Sequence, residues 1–175
     1  MSLKLLVRML ALAVFAVALG LLANRLRRSP EQIDLTQFVG VQIPSLLVNE
    51  REARSRLDRL AETPGPKPAE ARALLVSEVI PHMLKLKHQA EDLVARTEES
   101  ARLKREYLKA VDELIDACRA CVRVIDDAKL PEGAGLTIVR ERFAFVDQEF
   151  RAWDADVRAT CVRHRLAQPE ALHKR

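Results

Sequence analysis

Two short motifs in the sequence contain the residue types that bind zinc. The stretch CRAC places Cys118 three residues before Cys121, and CVRH places Cys161 three residues before His164. Thiolate sulfur and imidazole nitrogen are the usual ligands of tetrahedral zinc, and this spacing puts both members of a pair on one helix face. The four side chains together have the composition of a structural zinc site.

The helices that must carry the two pairs hold them apart. The apolar pattern predicts an antiparallel helical hairpin about a loop near residue 132, in which the first pair faces residues 142–145 and the second faces residues near 102. The two pairs are then roughly 24 Å apart at helical rise, so one chain cannot close the site, although two antiparallel chains could. Because Cys118 and Cys121 also occupy apolar seam positions, we interpret the cysteines as buried core residues.

Other patterns that suggest chemistry are sparse. His82 and His88 flank the seam of their helix, with Glu78 four residues before His82, which is typical of a solvated helical pair. The Glu-x-x-His spacing of di-iron bundles occurs once, at Glu170 and His173 in the tail. The sequence has no Gly-rich phosphate loop, no nucleophile elbow and no Cys-x-x-Cys-His haem motif. We therefore expect no catalytic residue, no cofactor and no enzymatic activity.

The composition indicates one folded, helical domain. The chain has 175 residues, of which 49% are apolar and 31% charged, so it is too hydrophobic for a disordered protein. Few glycines, few aromatic residues and many Leu, Ala, Arg and Glu residues favour helices over strands. The net charge of +4 comes from acidic and basic residues that alternate along the chain, which argues against a nucleic-acid partner.

The first 28 residues have the pattern of a membrane-targeting segment. Residues 9–24 carry no charge, Lys4 and Arg8 precede them, and three arginines follow. This predicts a single N-terminal membrane anchor; a cleaved signal peptide is the alternative, because residues 16–18 have the small-x-small form of a cleavage site. The flanking charges nearly balance, so the orientation stays open, with a slight preference for an exported or periplasmic body.

Residues 29–43 are predicted to form a short amphipathic helix and a linker. Ser29 is a suitable N-cap, Pro30 suits the first helical position, and Gln32 completes a capping box. Gly40 is the expected end of this helix. The helix could lie on the membrane surface or pack on the domain that follows.

Residues 44–168 are predicted to form a helical bundle. One helix begins at Pro44, and the stretches TPGPKP and LPEGAG separate it from two further helical segments, 69–128 and 136–167. The tail 169–175 is expected to be frayed. In both later segments apolar residues recur in alternating steps of three and four, which is the seam of a coiled coil or bundle. The seam consists of Val76, Val79, Met83, Leu86, Ala90 and Leu93, then Tyr107, Val111, Leu114, Cys118, Cys121 and Ile125, then Leu136, Val139, Phe143, Val146, Phe150, Trp153, Val157, Thr160, His164 and Ala167.

Two architectures satisfy this pattern. We favour a single helix over 69–128, about 90 Å long, whose wide apolar stripe would require self-association. In the alternative, the chain turns at 96–101 with Thr97 as the N-cap of a new helix, which gives a four-helix up-down bundle. Pro81 is expected to kink its helix just before it. In both cases the fold class is all-α, with an N-terminal membrane anchor or signal segment followed by a long antiparallel helical bundle or coiled coil.

The functional expectation follows from the fold and from the lack of catalytic patterns. We expect a membrane-anchored helical scaffold or interaction protein without catalytic activity, whose partners are the membrane and either a second copy or a helical protein. The alternative is a ligand-, metal- or redox-sensing helical bundle that uses Cys118 and Cys121, or Cys161 and His164.

Overall fold

The computed structural model of the chain describes residues 14, 15, 17, 29–62, 68–127, 134–170 and 172, with side chains except at 59–62 and 134–140. These residues contain helices and no strand, which confirms the all-α fold class. The chain divides into two compact units, Met1–Ile33 and Asp34–Arg175.

Little of the first unit is described. Within the described residues, no helix combines the length and the apolarity that crossing a membrane requires. The predicted anchor at 9–24 lies outside these residues, apart from three exposed helical positions, Val14, Phe15 and Val17. Ser29 accepts a 3.2 Å hydrogen bond from the backbone N–H of Gln32, as its predicted role as N-cap requires.

Four long helices form the described part of the chain. Consecutive helices are antiparallel neighbours. Ion pairs join them in this sense: a residue late in one helix pairs with a residue early in the next, and the reverse. The bounds are α1 30–62, α2 68–91, α3 Glu98–Asp126 and α4 Ala134–His164. The ion pairs are Arg56–Glu78 at 3.1 Å, Arg72–Asp126 at 2.6 Å, Lys87–Asp112 at 2.8 Å, Lys109–Glu149 at 2.9 Å and Arg102–Asp156 at 2.8 Å.

Helix α1 is longer than the sequence predicted. The expected stop at Gly40 and the expected start at Pro44 are both wrong, because a π-helical turn at Phe38–Gln42 carries the helix through them. In this turn the backbone N–H of Ile43 donates to the carbonyl oxygen of Phe38, five residues back. The wider turn directly precedes Pro44, which has no N–H to donate and whose ring would crowd an ordinary α-turn.

Helix α2 repeats this device. A π-helical turn at Leu75–Val79 precedes Ile80 and Pro81, and the N–H of Ile80 donates to the carbonyl oxygen of Leu75. The disturbance expected just before Pro81 therefore takes the form of a π turn. The extra residue also shifts the helix face, so the predicted seam residue Val76 is exposed and Leu75 is buried in its place.

The preferred single helix over 69–128 is wrong, since α2 ends at Glu91 and α3 begins at Glu98. Thr97 caps α3 by accepting a 3.3 Å hydrogen bond from the N–H of Ser100, as the four-helix alternative predicted. The buried carboxylate of Asp34 on α1 accepts hydrogen bonds from the backbone N–H groups of Arg96 and Thr97 and from the hydroxyls of Thr97 and Ser100. A side chain of α1 thus fixes the turn that the local sequence does not mark.

Two further polar side chains hold the same turn. The side-chain amide of Gln42 forms a pair of hydrogen bonds with the backbone of Val94. It donates to the carbonyl oxygen of Val94 at 3.0 Å and accepts from the N–H of Val94 at 2.8 Å. Lys104 donates to the carbonyl oxygens of Glu91 and Leu93, so its positive charge lies at the C-terminal end of α2. These contacts satisfy backbone groups that the end of a helix leaves without partners.

The core confirms most of the predicted seam. Tyr107 lies at its centre, with ring centroids 5.9 Å from Phe150 and 4.8 Å from Trp153. The indole N–H of Trp153 donates to the carbonyl oxygen of Leu103 at 2.8 Å, so the buried polar atom is satisfied. The predicted seam residues that are buried are Val79, Met83, Leu86, Ala90, Tyr107, Val111, Leu114, Cys118, Val146, Phe150, Trp153, Val157 and Thr160.

Part of the tail is ordered against the bundle. Pro169 and Leu172 are buried, and Arg158 donates a 2.8 Å hydrogen bond to the carbonyl oxygen of Leu172. The expectation of a frayed tail therefore fails at these positions, because Leu172 finds an apolar site. Residues 173–175, including His173, lie outside the described part, as do residues 63–67 of the predicted turn TPGPKP and residues 130–133 of the predicted turn LPEGAG.

Candidate functional site

A concave surface lies between α1 and α4 in the described part of the chain. It has a volume of about 890 Å³, and both helices line it along one face. The lining residues of α1 are Leu47, Glu50, Arg51, Arg54, Ser55 and Asp58, and those of α4 are Asp147, Phe150, Arg151, Asp154, Ala155 and Arg158. We refer to these twelve residues as the α1/α4 groove.

The floor of the α1/α4 groove contains a buried acid. Glu50 is 2% exposed, and its carboxylate accepts a 2.9 Å hydrogen bond from the hydroxyl of Tyr107. Its other oxygen lies 3.0 Å from Nε of Arg54, one helical turn further along α1. A buried carboxylate is costly unless it is paired and hydrogen-bonded, and both conditions are met here.

Arg54 joins the two walls of the groove. Its guanidinium lies 4.2 Å above the ring of Phe150 on α4, within the range of a cation–π interaction. Nη1 also lies 3.4 Å from a carboxylate oxygen of Asp147. Neither Nε nor Nη2 has a hydrogen-bond partner among the described residues, so Nε meets Glu50 as an ion pair without hydrogen-bond geometry.

The cysteine motif of α3 lies in apolar surroundings. Cys118 is fully buried, and burial, together with the nearby Cys121, raises the pKa of its thiol to about 12. Burial also raises the pKa of Cys121, which is partly exposed. Both thiols are therefore protonated at neutral pH, which makes them poor metal ligands and poor nucleophiles.

The second motif lies near the opposite end of the α3–α4 hairpin. Cys161 is buried 3.8 Å from the carbonyl oxygen of Ala167, and burial raises its pKa. The ion pair between Arg102 and Asp156 fixes the antiparallel register, so Cys161 lies beside the start of α3 and Cys118 in its last third. The two motifs therefore lie apart in the structure. This separation is what the predicted hairpin geometry required.

His164 belongs to a polar cluster at the start of α3. Its Nε2 lies 2.7 Å from one carboxylate oxygen of Glu99, whose other oxygen accepts from Thr160 at 3.0 Å and from Arg163 at 2.6 Å. Burial alone would raise the pKa of Glu99, but the hydrogen bonds of His164 and Thr160 and the nearby positive charges outweigh it and lower the pKa. The cluster joins the first turn of α3 to the last turn of α4.

The other histidines make local contacts. His82 Nδ1 lies 2.8 Å from the carbonyl oxygen of Glu78, one turn back on α2. His88 is largely exposed, and its Nδ1 lies 3.0 Å from the carboxylate of Glu91. His88 is therefore a solvated helix residue as predicted, whereas His82 is half-buried and the carboxylate of Glu78 pairs with Arg56.

The residues of the α1/α4 groove were missed at the level of the sequence. One signal was present: Glu50 interrupts an apolar stripe that includes Leu46, Leu47 and Ala53, all of them buried. An acid in such a stripe indicates a buried partner. That this partner is Tyr107, and that α4 forms the second wall, depends on the tertiary packing.

Comparisons with known proteins found no match for the chain. No protein-family model, curated protein or solved structure matches it. The class of protein is therefore defined by its own geometry: an all-α helical bundle with a charged groove between α1 and α4.

Proposed function

We propose that the chain is a membrane-anchored helical interaction protein without catalytic activity, and that the α1/α4 groove receives its partner. The groove itself carries this proposal. Every other pair of neighbouring helices in the described bundle is joined by extensive packing, whereas α1 and α4 leave a volume of about 890 Å³ open between them. Concave surfaces of this size are the usual sites of recognition.

The membrane anchor is proposed from the sequence. The uncharged run at 9–24, with Lys4 and Arg8 before it and arginines after it, has the pattern of a single N-terminal span. We propose that the bundle lies on the exported side of the membrane, because a folded body behind a single N-terminal anchor is more often exported.

The state of the thiols supports interaction over metal or redox sensing. A sensing cysteine needs a thiolate, which requires a low pKa and access to solvent. Burial does the opposite at Cys118, whose pKa rises to about 12, and it also raises the pKa of Cys161. We therefore prefer a role in which these cysteines pack the core.

Photo-crosslinking in living cells tests the proposal. A photoreactive amino acid is placed at Ala155 in the groove and, as a control, at Arg105, an exposed residue of α3 outside the groove. We expect a discrete protein adduct from position 155 and none from position 105, in membranes that retain the full-length chain through a carbonate wash. Equal adducts from both positions, or none from position 155, would refute the groove as the interaction surface.

A further inference from the structure

The shape of the α1/α4 groove suits an additional helix that packs against both α1 and α4. The lining residues of α1 recur at intervals of three, one, three, one and three, and those of α4 recur at the same intervals. Each set therefore forms one stripe along about three helical turns, roughly 16 Å at helical rise. Two such stripes side by side form the long channel into which a packed helix fits its ridges.

The charges of the groove are unbalanced at its centre. Arg54 contacts both Asp147 and Phe150, and α1 runs antiparallel to α4, so Arg51 and Arg151 lie at about the same level on opposite walls. Both are exposed, and neither has an ion-pair partner among the described residues. Two facing arginines without a counter-ion repel each other and favour an anion between them.

The acids that line the groove do not neutralise this pair. Glu50 is occupied by Tyr107 and Arg54, and Asp147 lies against Arg54. Asp154 is buried and already engaged, and Asp58 lies two helical turns beyond Arg51.

We propose that the occupant of the α1/α4 groove is an acidic helix of another protein, with carboxylates that pair with the exposed side chains of Arg51 and Arg151. This inference rests on the proposed function and specifies the chemistry of the partner. Arginine binds a carboxylate through two parallel N–H donors, so a helix with Asp or Glu in consecutive turns would satisfy both walls.

The test uses the full-length chain with the photoreactive amino acid at Ala155, in cells, and varies the charges of the groove. The double variant Arg51→Glu/Arg151→Glu should reduce the adduct about tenfold, because the partner's carboxylates would then meet like charges. Arg51→Lys/Arg151→Lys should retain most of it. The matched control is Arg105→Glu, an exposed arginine outside the groove, which should leave the yield unchanged.

Mass spectrometry of the adduct completes the test. A crosslinked segment with carboxylates at helical spacing supports the proposal. A lipid adduct, an adduct with a second copy of this chain, or a segment without acidic residues would overturn it. An adduct whose yield is the same in the double Glu variant as in the unaltered chain would also overturn this proposal, but it would leave the proposed function standing. The absence of any adduct would refute the proposed function itself. A thermal melt of each purified variant, expected to match the unaltered chain because both arginines are exposed, separates lost binding from lost folding.

Discussion

The hydroxyl of Ser100 donates a 2.6 Å hydrogen bond to the buried carboxylate of Asp34, which lies 66 residues earlier in the chain. The same carboxylate binds the backbone of Arg96 and Thr97. One acid of α1 therefore fixes both the end of the α2–α3 turn and the start of α3. Because this turn allows α3 to fold back along α2, the contact keeps residues 68–126 as two helices instead of one.

Removing this acid should destabilise the bundle strongly. Asp34→Ala leaves several buried donors without an acceptor, and we expect a loss of about 2–4 kcal/mol in the free energy of unfolding. Asp58→Ala, which removes an exposed acid of the same helix, should have little effect. Urea unfolding followed by circular dichroism measures both, and similar losses would mean that Asp34 does not hold the turn.

The same contact makes stability depend on pH. Burial alone would raise the pKa of Asp34, but the hydrogen bonds from Ser100, Thr97 and Arg96 outweigh it and lower the pKa below its ordinary value of 3.8. A carboxyl with a lower pKa in the folded state stabilises the fold above its unfolded pKa, and this stabilisation is lost as the pH falls through the folded value. Stability should therefore drop below about pH 3.8.

Asp34→Asn should flatten that acid dependence, since the titrating group is gone. Glu99, whose pKa is also lowered, should supply the part of the slope that remains. Free energies of unfolding measured from pH 6 to pH 2 decide the matter. An unchanged slope in Asp34→Asn would contradict the assignment.

The sequence contained more information about the turn than the heptad pattern revealed. Between Leu93 and Tyr107 the same heptad phase falls on Thr97, Ser100 and Lys104, and three consecutive polar residues at these positions indicated a break in the apolar seam. In the structure Thr97 and Ser100 bind Asp34, and Lys104 binds the end of α2. The polarity of these three residues was visible from the sequence. That they hold the turn between α2 and α3 could not be predicted, because it depends on the position of α1.

The π turns left a signal of another kind. Where they occur, buried residues follow each other at a constant spacing of four, because a wider turn absorbs one extra residue. The buried residues with this spacing are Leu35, Val39, Ile43 and Leu47 in α1 and Ala71, Leu75, Val79 and Met83 in α2. An Ile-Pro pair lies within each series, directly after the π turn. Because the π turn accommodates the proline, Gly40 and Pro44 do not break α1. The α1/α4 groove left no such signal, since its charged stripes resemble ordinary solvated faces.

The aromatic centre of the core should respond to truncation. Phe150 is 2% exposed and contacts both Tyr107 and Arg54, so Phe150→Ala should cost about 3–5 kcal/mol. Arg151→Ala removes the neighbouring exposed side chain and should leave the melting temperature nearly unchanged. Thermal denaturation of both variants tests the assignment of the helix face, which would be wrong if the two effects were equal.

The thiols should behave as core residues. Cys121 is partly exposed and Cys118 fully buried, so Cys121 should react first with a thiol reagent and Cys118 only on unfolding. Protein purified without added metal should contain no stoichiometric zinc by elemental analysis. One zinc per chain, or one per two chains, would instead support the metal-sensing alternative.

The occupancy of the α1/α4 groove can be measured directly through Ser55→Cys, a substitution of an exposed lining residue. The rate at which this thiol reacts with a maleimide is compared between intact native membranes and protein purified in detergent, with Arg105→Cys on α3 as the control. Peptide-level mass spectrometry separates the new thiol from the native cysteines. If the groove holds a partner, Ser55→Cys should react severalfold more slowly in membranes than after purification, while Arg105→Cys reacts alike in both. Equal rates for Ser55→Cys in the two preparations would contradict an occupied groove.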